Sequence, residues 1–144
     1  MRSYVLLGCI VALTIVSSVR SETGYHTFIA AVPEAVQDKC FVEADLVADK
    51  DKVLTDEKSV DPTKLSCYTA CTLRELGVLV NGNVMKEVLK EQIKAIYAKD
   101  PDSATRTGII EECVDAGATG ATDCEKVASL TTCILGKLAE KGLE

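Results

Sequence analysis

Tryptophan is absent from the 144-residue chain, histidine occurs once (His26), proline three times, and the aromatic residues together make up only 4%. A lone imidazole removes any chemistry that needs two, most zinc enzymes among them. Acid is missing from the first 21 residues, whose only charges are Arg2 and Arg20. Beyond them 14 basic residues face 22 acidic ones, a net charge of −8. So acidic a surface repels phosphate backbones and anionic membranes, which sets nucleic-acid binding aside. No second apolar run after the N-terminus approaches the roughly 20 residues that a membrane span needs.

What is there begins with that N-terminus. Arg2 precedes an apolar run from Tyr4 to Val16, and Ser17, Ser18, Val19, Arg20 and Ser21 follow. A basic start, a short apolar stretch and small residues beyond it read as a secretory signal peptide over residues 1–21, with Ser18 and Ser21 both open as the cleavage point and Ser21 favoured. Cys9 leaves with it. The mature chain, residues 22–144, is then expected to be one secreted domain without stable membrane insertion.

Six cysteines remain: Cys40, Cys67, Cys71, Cys113, Cys124 and Cys133. An even number in a small secreted chain reads as a disulfide framework, and six cysteines allow 15 pairings among which counting does not choose. Cys67 and Cys71 stand four apart within the helical pattern of Leu65–Leu79, so both thiols face the same way. Such neighbours reach out to two other elements rather than to each other. Metal ligation by this pair would need a reducing compartment and a matching second cluster, and neither is indicated. No metal and no cofactor is expected.

The rest of the chain reads as helices. Pro33 suits a helix start running to about Val47, because proline lacks only an amide that is unbonded there. Residues 49–61 are charge-rich and read as a solvated short helix or loop. Asp61-Pro62 opens a helix carrying Leu65 to Val80, and Asn81-Gly82-Asn83 stops it with a turn whose residues tolerate positive φ. Val84 to Tyr97 is the most regular amphipathic stretch, with Met85, Leu89, Ile93 and Ile96 on one stripe. Asp100-Pro101-Asp102-Ser103 breaks it and caps the next helix. Residues 117–122 form a Gly/Ala/Thr link, and Asp123 is positioned to cap the last helix. The fold class is all-α, a compact bundle of about six helices.

Counted from Cys40, the intervals between cysteines are 26, 3, 41, 10 and 8 residues. Five such intervals in a small, acidic, secreted helical chain resemble the insect odorant-binding proteins of the pheromone/general-odorant-binding family. Three residues between the second and third cysteines and eight between the fifth and sixth are that family's pattern. The resemblance covers about residues 30–138. It implies helices around an apolar cavity and three interlocking disulfides, Cys40–Cys71, Cys67–Cys124 and Cys113–Cys133.

It also implies a function: reversible binding of small hydrophobic ligands, odorants or pheromones, and their carriage through aqueous lymph to an olfactory receptor complex, as a monomer or weak homodimer. The helical stripes offer Phe41, Leu46, Leu73, Leu76, Val80, Met85, Leu89, Ile93, Val114, Leu130, Ile134 and Leu138 as pocket wall. Tyr68, Tyr97 and Thr131 each carry a hydroxyl for an alcohol, ester or aldehyde, and Tyr68 and Thr131 join the ligand-binding set. With few aromatics, aliphatic ligands are favoured.

In the family, acidification is linked to ligand release through histidines or a carboxylate-rich C-terminal segment. His26 near the N-terminus makes a histidine switch unexpected here, and the short segment 136–144 allows only Leu138 and Leu143 to fold back. A carrier of lipids in gland, saliva or venom keeps the same fold. A saposin-like protein starts and ends with closely spaced cysteine pairs, which this chain lacks. Catalysis would have to use His26, far from any cysteine-bearing helix, or a carboxylate pair that nothing in the pattern marks out, so no enzyme is expected.

Overall fold

The computed structural model describes the backbone of residues 25–143 and the side chains from Phe28 to Leu143. The expected signal segment 1–21 and the side chain of His26 lie outside these described residues. Among the described residues seven α-helices follow one another: α1 (Tyr25–Ala31), α2 (Glu34–Glu43), α3 (Lys50–Thr55), α4 (Pro62–Glu75), α5 (Lys86–Ile96), α6 (Ser103–Ala116) and α7 (Asp123–Glu140). Single 3-10 turns at Val47–Asp49 and Glu57–Ser59 flank α3. A hairpin of β1 (Leu79–Val80) and β2 (Asn83–Val84) pairs Leu79 with Val84 and Val80 with Asn83. The all-α reading holds, with one helix more than expected and a small hairpin added.

Helix starts follow the residues that satisfy their free amides. The Asp61 carboxylate accepts from the amides of Thr63 (2.8 Å) and Lys64 (3.4 Å), and Pro62 occupies the first turn, where its missing N–H costs nothing. At α7 the cap is Thr122 and not Asp123. The Thr122 hydroxyl accepts from the Glu125 amide at 3.2 Å, and the Glu125 carboxylate accepts from the Thr122 amide at 3.2 Å, a reciprocal capping box. At α6, Asp102 makes no side-chain cap bond; its own amide donates to the Asp100 carboxylate at 2.9 Å.

Helix ends depart further from the sequence reading. The helix expected to reach Val47 stops at Glu43, and the one expected to reach Val80 stops at Glu75. Both close the same way. Asp45 (φ 57°) and Gly77 (φ 75°) turn left-handed. The amide of the next residue then reaches back five positions, Leu46 to the Phe41 carbonyl and Val78 to the Leu73 carbonyl, each at 2.9 Å. This Schellman closure puts an apolar residue just past the helix against one in its last turns, and Leu46 and Val78 are fully buried. The third instance is at the C-terminus, where Gly142 turns (φ 67°) and the Leu143 amide donates to the Leu138 carbonyl.

α4 packs between α2 and α7, α6 lies against both α5 and α7, and the disulfides follow three of these contacts. Cys40–Cys71 joins α2 to α4, Cys67–Cys124 joins α4 to α7, and Cys113–Cys133 joins α6 to α7. Helix α5 carries no cysteine. It is held to α6 by Lys86, 3.0 Å from Asp115 and 3.7 Å from Glu111, and by Lys90, 3.5 Å from Glu111. These pairs are half-exposed to solvent and each contributes little, about 1 kcal/mol at most. The burial of Leu89 and Ile93 is the larger contribution, each apolar side chain giving about 1.5–3 kcal/mol. Residues 49–61 are not only solvated surface, because Val53 and Val60 are buried in the core.

Candidate ligand-binding site

The buried apolar residues divide into two clusters. The larger includes Phe41, Leu46, Tyr68, Leu73, Leu89 and Ile93, drawn from α2, α4, α5 and the turn after α2. The smaller comprises Ile109, Cys113, Leu130 and Leu138, from α6 and α7. Val84, Val114 and Ile134 pack against both and form the seam between them.

A depression of about 250 Å³ opens at this seam, lined by Gly82, Asn83, Val84, Val114, Gly117 and Ala118. One side is the hairpin and the other is the end of α6 with the link that follows. The hairpin turn has Asn81 (φ 52°) and Gly82 (φ 77°) both at positive φ, as a two-residue type I′ turn requires. A Cβ at Gly82 would come within 2.8 Å of the Lys126 ammonium. That ammonium donates to the Gly82 carbonyl at 2.9 Å. A second depression of about 170 Å³ lies beside the Cys67–Cys124 bridge, lined by Pro62, Thr63, Ser66, Cys124, Glu125 and Ala128.

Of the ligand-binding residues expected from sequence, Phe41, Leu46, Tyr68, Leu73, Leu89 and Ile93 are brought together in the larger cluster. Leu76, Val114 and Ile134 border it half-buried, and Leu130 and Leu138 belong to the smaller one. Val80 (43% exposed), Met85 (36%) and Thr131 face solvent. Val80 lies on the outer side of the hairpin, and Met85 precedes α5 rather than starting its buried stripe. The sequence reading missed Gly82, Asn83, Val84, Gly117 and Ala118. The signal for them is Asn81-Gly82, which favours the positive φ of a two-residue hairpin turn as well as a helix stop.

The polar groups near the core are few. The Tyr68 ring stacks on Phe41 with centroids 4.6 Å apart, and Lys50 stands 5.5 Å over the Phe41 ring. The Tyr68 hydroxyl is buried and has no hydrogen-bond partner among the described residues. Burial, reinforced by the negative charge of Asp38, pushes its pKa up to about 12. Tyr97 is also raised by burial, with the Arg106 guanidinium 5.6 Å from its ring working the other way. Arg106 itself pairs with Asp100 at 2.6 Å, both side chains more than nine-tenths buried.

Cys40, Cys71 and Glu43 cluster closely enough to share an ion, but the two sulfurs are joined to each other and offer no thiolate. Among the described residues, no helix is long and apolar enough to cross a membrane.

No curated relative matches the chain. The model of the PBP/GOBP family matches residues 29–137, nearly the whole described length and all six paired cysteines. It is a family of small secreted odorant- and pheromone-binding carriers and not of enzymes. With its cysteines paired as the resemblance implied and its helices held by those pairs, the chain belongs to the PBP/GOBP family.

Proposed function

We propose that the mature chain is a secreted carrier that reversibly takes up small hydrophobic molecules, odorants or pheromones, into its apolar core and ferries them through aqueous lymph to receptors. The observation that carries this reading is the division of the core into two apolar clusters that meet at a seam open to solvent. A ligand entering between the hairpin and the end of α6 would contact Val84 and Val114 first. It would then lodge among Tyr68, Leu73, Leu76, Leu89 and Ile93 on one side and Leu130 and Leu138 on the other. Phe41 and Leu46 back this wall. Val80, Met85 and Thr131 are left out of it, since they face solvent.

Cross-links suit such a core. Parting two clusters to admit a guest forfeits packing roughly in proportion to the space opened. Each disulfide returns about 2–4 kcal/mol. A volatile of roughly 15 heavy atoms, at about 0.3–0.5 kcal/mol per atom, binds with about 5–8 kcal/mol, which is micromolar at best. Reversible capture of that strength fits a shuttle.

The test is displacement of N-phenyl-1-naphthylamine from the oxidised protein by an aliphatic chain-length series. Saturable micromolar displacement that rises and then falls with length supports an enclosed apolar site. A helical, fully bridged protein that takes up no probe overturns the reading.

A further inference from the structure

Among the described residues, the buried hydroxyls are satisfied within their own helices, with one exception. Thr72 donates to the Thr69 carbonyl at 2.8 Å, and Thr107 donates to the Ser103 carbonyl at 2.8 Å. A short side chain can fold back on its own helix in this way. Tyrosine cannot, because its hydroxyl sits at the far end of a rigid ring and must find its partner across the core. Tyr68 is fully buried, stacked on Phe41, and its hydroxyl meets no acceptor or donor among the described residues. Buried polar groups are nearly always paired, so an unpaired one in an apolar cluster is open to a partner from outside the chain.

We infer that Tyr68 is the polar anchor of the core and that its hydroxyl donates to the carbonyl oxygen of a bound neutral aliphatic ligand, so that aldehydes, ketones and esters are selected over hydrocarbons of equal length. This deepens the carrier reading and rests on it. Three observations choose the carbonyl. The phenol stays protonated far above neutral pH, so it is a donor. A carbonyl only accepts and is satisfied by that one bond, whereas an alcohol would bury a donor of its own among Leu73, Leu89 and Ile93. Asp38 acts on the same hydroxyl with its negative charge, which opposes a carboxylate ligand.

The experiment compares wild type and Tyr68→Phe in displacement of N-phenyl-1-naphthylamine by a ketone, a methyl ester and the hydrocarbon of matching length. The loss of one neutral hydrogen bond weakens the two carbonyl ligands about three- to tenfold relative to the hydrocarbon of matching length. In wild type, the carbonyl stretch of a bound isotope-labelled ketone lies at lower frequency than in hexane, and Tyr68→Phe returns it to the hexane position. Equal weakening of all ligands, an unshifted stretch in wild type, or a variant that fails to fold would each overturn the anchor while leaving carriage intact. Failure of the wild type to take up probe or hydrocarbon would overturn carriage, and the anchor with it.

Discussion

Lys126 on α7 reaches the carbonyl oxygen of Gly82, 2.9 Å away, and ties the tip of the hairpin to the last helix. The contact spans 44 residues of sequence and sits beside the depression where the two apolar clusters meet. A charged donor on a half-buried carbonyl is worth about 1.5–3 kcal/mol where desolvated and less where water competes.

Lys126→Met keeps the aliphatic stem and removes the donor. Its cost is expected at about 1 kcal/mol in denaturant unfolding, near the net worth of an ordinary hydrogen bond. The diagnostic effect is local. Amide hydrogen exchange should accelerate at residues 79–84 and not in α4, and ligand dissociation should speed up. Uniform acceleration over the whole chain would mean that the contact supports global stability only.

Asp100, in the turn between α5 and α6, pairs with Arg106 in α6, the side chains 7% and 8% exposed. Removing one partner of a buried pair leaves the other charge unpaired, at a cost of about 3–5 kcal/mol. Asp100→Ala is expected to fall at the upper end, because Asp100 also accepts from the Asp102 amide. Asp100→Leu combined with Arg106→Met should recover most of the loss, which a double-mutant cycle by urea unfolding measures. If the single and double variants were equally unstable, the packing around Arg106 would matter more than its charge.

Gly77 ends α4 at φ 75°, with nothing within 4 Å of where a Cβ would stand. Gly77→Ala therefore isolates backbone strain from steric clash and should cost about 1–2 kcal/mol. The mirror experiment is Asp45→Gly, where a non-glycine residue already occupies φ 57°. It relieves the strain and loses only an exposed contact with Lys64 at 3.2 Å. A gain of up to about 1 kcal/mol is expected. Thermal unfolding of both variants should show shifts of opposite sign.

Alkaline titration should separate Tyr68 from ordinary tyrosines, which ionise near pH 10. A group whose folded pKa is raised contributes its full stability below the unfolded pKa and loses it as pH rises through the folded one. The window for Tyr68 thus runs from about pH 10 to about 12. Tyr68→Phe should flatten the decline in stability over that range and remove a late-rising component of tyrosinate absorbance. A wild-type titration complete near pH 10 would contradict the burial of this hydroxyl.

The parts legible in the sequence were those written in residue types that have few other uses. Six cysteines at particular intervals implied the three bridges, Asp61-Pro62 marked the start of α4, and Leu89 and Ile93 announced the buried face of α5. Helix ends were less legible, because a Schellman closure requires an apolar residue just past the helix. Leu46 and Val78 therefore extended the helical pattern beyond its real stop. Thr122 and Glu125 carried the capping-box spacing, but the adjacent Asp123 drew the assignment. In the candidate site, stripe residues such as Leu73 and Ile93 were found buried as expected. Val84 and Ala118 were missed because they stand outside any helical stripe, on a hairpin and a link that only tertiary contact places together.

The most direct test of the carrier account is a methyl NMR titration of the oxidised protein with a saturating aliphatic ketone. The account predicts saturable shifts at Leu73, Leu89, Ile93, Val114 and Ile134, with Leu54 and Leu135 on the surface unmoved. Shifts confined to surface methyls, or none that saturate, would contradict the claim that this core takes up a guest.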